Sequence, residues 1–117
     1  MAHVLGASRT VLMAHPERSL TSGQLDRYGK LVRHRVGNYP LPYLTGHVEF
    51  YGLKFEVTPD VLIPRPETET LVDLALAGQP ASVVDVGTGS GCIAVALAVH
   101  LPEAIVYAID ISPAALA

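Results

Sequence analysis

In Asp85-Val86-Gly87-Thr88-Gly89-Ser90-Gly91, residue types and spacing are suited to chemistry. Alternating glycines permit a tight turn and let a ligand approach the backbone, while a helix starting after them would add unpaired amide donors. Asp110 closes the next apolar run, where a carboxylate can accept the two hydroxyls of a ribose. Together these residues describe a nucleotide-type site. A turn that binds nothing is the alternative, and the full order of strand, loop, helix, strand and acid disfavours it. The G-x-G-x-G spacing puts Cys92 where a dinucleotide fingerprint places its third glycine, so the nicotinamide pattern is poorly matched. A Walker A loop is excluded because no lysine follows Lys54.

The elements that must position this loop are legible around it. Ser82 to Val86 is a short β-branched run of the kind found in a strand covered on both faces. Cys92 to His100 reads as a helix closed by Pro102, and Ala104 to Ile109 as a second strand. A βαβ unit with parallel strands follows. Ahead of it, a helix should begin at Pro66, with Glu67 and Glu69 at the positive end of its dipole. Leu71, Leu74 and Ala75 are its expected buried stripe, and Gly78-Gln79-Pro80 its end. Ser112-Pro113 has the form of an N-cap with proline at the first helical position, so a further helix is expected to start there.

The first part of the chain has a different texture. Thr21-Ser22-Gly23-Gln24 fits a capping box, and Leu25, Tyr28, Leu31, Val32 and Val36 recur near the helical period before Gly37 stops the helix. Val4 to Ala14 reads as the end of one earlier helix, broken at Pro16. Between positions 47 and 58 the alternation of Leu53, Phe55 and Val57 with polar residues, and Tyr51-Gly52 before it, predict a β-hairpin.

Of the 117 residues, 50% are hydrophobic and 16% charged, against about 25% charged in an ordinary soluble domain. No apolar run reaches the roughly 18 residues of a membrane span. Cys92 is the sole cysteine and cannot form an internal disulfide, and no secretory pattern opens the sequence, so a cytoplasmic, reducing setting is expected. The net charge of -3 is unevenly spread: residues 1–66 hold all eight bases and five acids, and residues 67–117 hold six acids and no base. Arg27, Lys30, Arg33, His34 and Arg35 give one helix a basic side, which reads as a solvated face. His3, His15, His47 and His100 have no metal-ligand spacing with Cys92, so no metal site is expected.

An acid opening the loop, three alternating glycines and an acid after the next strand resemble the class I S-adenosylmethionine-dependent methyltransferases. Leu44-Thr45-Gly46, Glu49-Phe50-Tyr51-Gly52 and above all Leu62-Ile63-Pro64-Arg65-Pro66-Glu67-Thr68-Glu69 narrow the likeness. With them the whole chain resembles the HemK/PrmC family of protein N5-glutamine methyltransferases, which act on class 1 peptide chain release factors. The resemblance implies a truncated Rossmann-like α/β methyltransferase domain over 66–117, a β-hairpin and linker over 38–65, and part of a helical, substrate-binding domain over 1–37. It implies S-adenosyl-L-methionine as cofactor, with Gly87, Thr88, Gly89, Ser90 and Gly91 at its methionine part, Asp110 at its ribose and Asp85 orienting the loop or meeting the amino group through water. Arg65 and Glu69 would lie near the active-site mouth, their alternative being a charge pair at a helix start. The implied partner is a release factor, with no direct nucleic-acid contact, no membrane and a monomeric state.

The family's Asn-Pro-Pro-Tyr run, which holds the substrate amide, does not occur in these residues; Asn38 is the only asparagine. No catalytic residue is therefore assigned. The 117 residues by themselves are expected to be inactive, and earlier helices of the first domain are expected to lie outside them. A glutamine methyltransferase acting on a ribosomal protein, a non-catalytic cofactor-binding piece and a nicotinamide-dependent oxidoreductase are the alternatives.

Overall fold

In the computed structural model, which describes residues 1–117, the chain is mixed α/β and divides into Met1–Thr45 and Gly46–Ala117. The first unit is helical: α1 (Ala2–Leu5), α2 (Arg9–Ala14), α3 (Ser22–Val36) and α4 (Leu41–Thr45). The stretch from Val4 to Ala14 is thus two short helices rather than the end of one. Gly6, at φ 59, ends α1, and the Ser8 hydroxyl caps α2 by accepting from the Val11 amide. Helix α3 has the expected capping box. Thr21 Oγ1 accepts from Gln24 N–H at 3.3 Å, and Gln24 Oε1 accepts from Thr21 N–H at 3.0 Å. At its other end the stop is set by Asn38, the left-handed residue at φ 62, while Gly37 keeps φ -74. Asn38 N–H reaches Arg35 O and Tyr39 N–H reaches His34 O, the paired bonds of a Schellman motif. Of the periodic residues, Tyr28 and Leu31 are half-buried, whereas Leu25, Val32 and Val36 are exposed. Helix α4 went unseen in the sequence because Pro40 precedes it and Pro42 falls within so short a segment.

The second unit starts with the hairpin β1 (His47–Phe50) and β2 (Leu53–Glu56), antiparallel with Phe50 opposite Leu53. Tyr51 and Gly52 take φ 51 and φ 71, the doubly left-handed turn whose twist suits a two-residue hairpin. Pro66–Thr68 forms a 3₁₀ turn that runs into α5 (Glu69–Ala77), so the α-helix proper begins three residues later than the sequence predicts. Strand β3 (Ser82–Val86), helix α6 (Cys92–His100) and strand β4 (Ile105–Ile109) complete a β-α-β unit whose strands pair in parallel, Asp85 beside Ala108 and Val86 beside Ile109. No helix is long and apolar enough to cross a membrane.

The core of this unit joins Phe50 and Phe55 of the hairpin to Val72 of α5 and Cys92, Ala96 and Leu97 of α6, with Val83 and Val106 of the sheet packed against it. The two phenylalanine rings meet edge to face at 6.2 Å between centroids. Burying a side chain such as Leu97 contributes about 1.5–3 kcal/mol. On α5 the inward residue is Val72, at 0% exposure, and Leu71 and Leu74 face outward at 53% and 68%. Of the expected stripe only Ala75 packs against the core, where Val72 and Leu76 take the places expected of Leu71 and Leu74. Helices cover one face of the sheet only. On the other, Val84, Val86, Ile105, Tyr107 and Ile109 are all half or more exposed. After β4, Ser112 does cap, its hydroxyl accepting from Ala115 N–H, but the following residues form turns rather than a helix.

Candidate functional site

The loop from Gly87 to Gly91 leaves the C-terminal end of β3 and enters α6, so it sits where open α/β sheets receive ligands. All three glycines are left-handed, at φ 76, 55 and 73. A side chain at Gly87 or Gly89 would find open space within 4 Å, so it is the backbone conformation and not crowding that requires glycine at both positions.

The end of β4 holds this loop in shape. Gly87 N–H and Thr88 N–H both donate to Ile109 O, at 2.8 and 3.0 Å. Gly89 N–H donates to Asp110 Oδ2 at 2.9 Å, and Ser112 N–H to Asp110 Oδ1 at 2.9 Å. These amide donors hold the Asp110 carboxyl below the usual aspartate range, Ser112 contributing most and Gly89 next. Thr88 is buried, and its hydroxyl donates to Asp85 Oδ2 at 2.7 Å. Asp85 thus orients the loop through Thr88, and the Thr88 side chain faces the protein.

Helix α6 takes up its own hydrogen bonding with Val95 N–H to Gly91 O at 2.8 Å. The amides of its first turn are left as donors beside the loop. Cys92 opens that turn as a buried residue, and burial pushes its thiol up from the ordinary range. It is a packing residue of the core.

Arg65 and Glu69 do not form the charge pair weighed for them. Glu69 Oε1 accepts from Tyr51 N–H at 2.8 Å, tying the start of α5 to the hairpin turn, while Arg65 is exposed. Tyr51 was missed as a candidate. Its phenol donates to Asp73 Oδ1 at 2.7 Å, and its ring meets His100 edge to face at 5.0 Å. The Asp73 bond, first among the causes, pushes the Tyr51 phenol up from the ordinary range. Its place at a hairpin turn was the available signal, but nothing local shows that two helices would converge on it. A shallow cavity of about 360 Å³ lies at the N-terminal ends of the strands, among Pro80, Ala81, Leu101, Pro102 and Ala104. It is at the opposite pole of the sheet from the loop, and Gln79, His100 and Glu103 also line it.

The chain is similar over nearly its whole length to several release factor glutamine methyltransferases. Residues 1–46 match the PrmC N-terminal domain. The release factor glutamine methyltransferase of Koribacter versatilis is 49% identical over 116 residues, which cover 96% of this chain and 41% of that protein. The one from Burkholderia pseudomallei is 48% identical, covering 99% of this chain and 42% of its own length. That of Escherichia coli is 42% identical over 99% of this chain and 43% of its own. The chain thus spans about two fifths of the length of the curated relatives it matches.

Proposed function

We propose that this chain, which belongs to the HemK/PrmC family, serves the transfer of a methyl group from S-adenosylmethionine to the side-chain amide nitrogen of a glutamine in a class 1 peptide chain release factor. The observation that carries the reading is the loop from Gly87 to Gly91, strapped to the end of β4, in a chain similar over almost its whole length to release factor glutamine methyltransferases. On this reading residues 66–117 belong to a Rossmann-like methyltransferase domain, residues 38–65 link it, and residues 1–37 belong to the domain that meets the protein substrate in the cytoplasm.

The residues present suit the cofactor. The left-handed glycines leave open space beside the backbone, and the first-turn amides of α6 suit its methionine carboxylate. Asp110 would hold the ribose, its oxygens still having acceptor capacity. Bound there, the cofactor supplies an electrophilic methyl on a sulfonium. An amide nitrogen is a poor nucleophile because its lone pair is delocalised into the carbonyl. The protein must therefore place that nitrogen in line with the methyl group and hydrogen-bond its protons, which is catalysis by positioning and electrostatics. No residue among these 117 is assigned that task.

Mass spectrometry of a release factor incubated with S-adenosylmethionine and the whole protein carrying this sequence tests the proposal. One methyl group on a glutamine is the expected product. An unmodified release factor at saturating cofactor, or methyl transfer to a ribosomal protein instead, would overturn it.

A further inference from the structure

We infer that Asp110 is a positioning residue for the glycine loop, in addition to the ribose contact assigned to it above. Only the ribose half of that pairing rests on the cofactor reading; the strap itself is in the fold. Gly89 and Asp110 lie 21 positions apart, and the bond between them crosses from the loop after β3 to the end of β4. It is the side-chain member of a set of three. Gly87 and Thr88 hold the first half of the loop to the Ile109 carbonyl, and Gly89 holds its midpoint to the Asp110 carboxylate.

Acceptor capacity explains why aspartate suits this position. A carboxylate offers about four lone-pair sites, two on each oxygen. One site on Oδ2 receives Gly89 N–H and one on Oδ1 receives Ser112 N–H. One site per oxygen remains, matching the two hydroxyls of a ribose. The group that receives the nucleoside thus also fixes the Gly89 amide, and the loop is shaped before a ligand arrives. Asparagine has a single acceptor oxygen and would point an NH₂ group at one of the two amides. Alanine offers neither bond.

Amide hydrogen exchange on the ligand-free chain, read by NMR, tests this without any cofactor. Against wild type, Gly89 exchange should rise at least about tenfold in Asp110→Ala, corresponding to loss of about 1.4 kcal/mol of local protection, while Val95 exchange holds steady. Asp110→Asn should speed exchange at one of the two amides, Gly89 or Ser112, and spare the other. Should Asp110→Ala fail to fold, a scalar coupling across the hydrogen bond from the Gly89 nitrogen to the Asp110 carboxyl carbon in the wild-type chain decides the matter. Unchanged Gly89 exchange in Asp110→Ala, or absence of that coupling, overturns the strap. Titration of S-adenosylmethionine separates the two claims. Affinity lost in Asp110→Ala with Gly89 exchange unmoved leaves the ribose contact and removes the strap. Gly89 exchange accelerated by Asp110→Ala, in a whole protein carrying this sequence whose wild type binds no cofactor, leaves the strap and removes the cofactor reading.

Discussion

The Tyr51 amide donates to the Glu69 carboxylate at 2.8 Å, across 18 positions of sequence. Through this bond the turn of the hairpin is fixed to the first residue of α5, and the Tyr51 phenol fixes it again one turn later at Asp73. A residue held at φ 51 is conformationally costly unless its surroundings determine it. Here both ends of the tyrosine are held. Glu69 therefore has a structural role in this chain.

Glu69→Ala should lower the unfolding free energy by about 1 kcal/mol, the scale of a hydrogen bond to a charged acceptor discounted for partial exposure. Glu69→Gln keeps an acceptor oxygen and should lose less. Urea unfolding followed by circular dichroism of both variants checks the order, and equal losses would place the effect elsewhere than in the bond to Tyr51.

Substituting a loop glycine acts through backbone conformation. Gly89→Ala places a Cβ in open space but on a residue at φ 55, a strain of about 1–2 kcal/mol. The loop should shift, the Gly89 amide should lose its Asp110 partner, and cofactor affinity should fall roughly tenfold. Calorimetric titration of wild type and variant measures it.

How much of this was legible beforehand depended on how local each feature is. The capping box at Thr21 and Gln24, the turn at Tyr51-Gly52 and the glycine loop are all set by neighbours within a few positions, and each stands where the sequence puts it. The buried side of α5 was not legible. Residues 71–77 are apolar at every position but Asp73, so periodicity could not choose between Leu71 and Val72. The choice was made by Leu97 and the hairpin phenylalanines, which belong to other elements. The same holds at the site. Asp110 was recognisable as an acid ending a strand, but its hold on Gly89 depends on the parallel pairing of β3 with β4.

The strap at Asp110 gives stability a definite pH dependence. Its folded-state pKa is depressed by the Ser112 and Gly89 amides. Its stabilisation is therefore fully present above the ordinary aspartate value of about 3.9 and is lost as pH falls below that value and through the lower folded one. The difference in melting temperature between wild type and Asp110→Asn should accordingly be constant at pH 6 to 5 and shrink towards pH 3. A constant difference over the whole range would contradict the assignment.

In the 117 residues taken alone, the bare face of the sheet should declare itself in solution. Val84 at 57%, Val86 at 75%, Tyr107 at 55% and Ile109 at 50% exposure form one apolar surface, the kind that binds hydrophobic dyes and promotes association. Val86→Lys should reduce dye fluorescence and light scattering while changing stability by no more than about 0.5 kcal/mol. A large loss of stability would show that this residue packs against something.

The central claim is that the loop strapped to β4 receives S-adenosylmethionine, and an NMR titration of the whole protein carrying this sequence with that cofactor tests it most directly. Saturable shifts at the Gly87 to Cys92 amides and at Asp110, weakened by Gly89→Ala and not reproduced by a nicotinamide dinucleotide, are the predicted result. Shifts confined to other residues, no saturable shift, or a preference for the dinucleotide would contradict it.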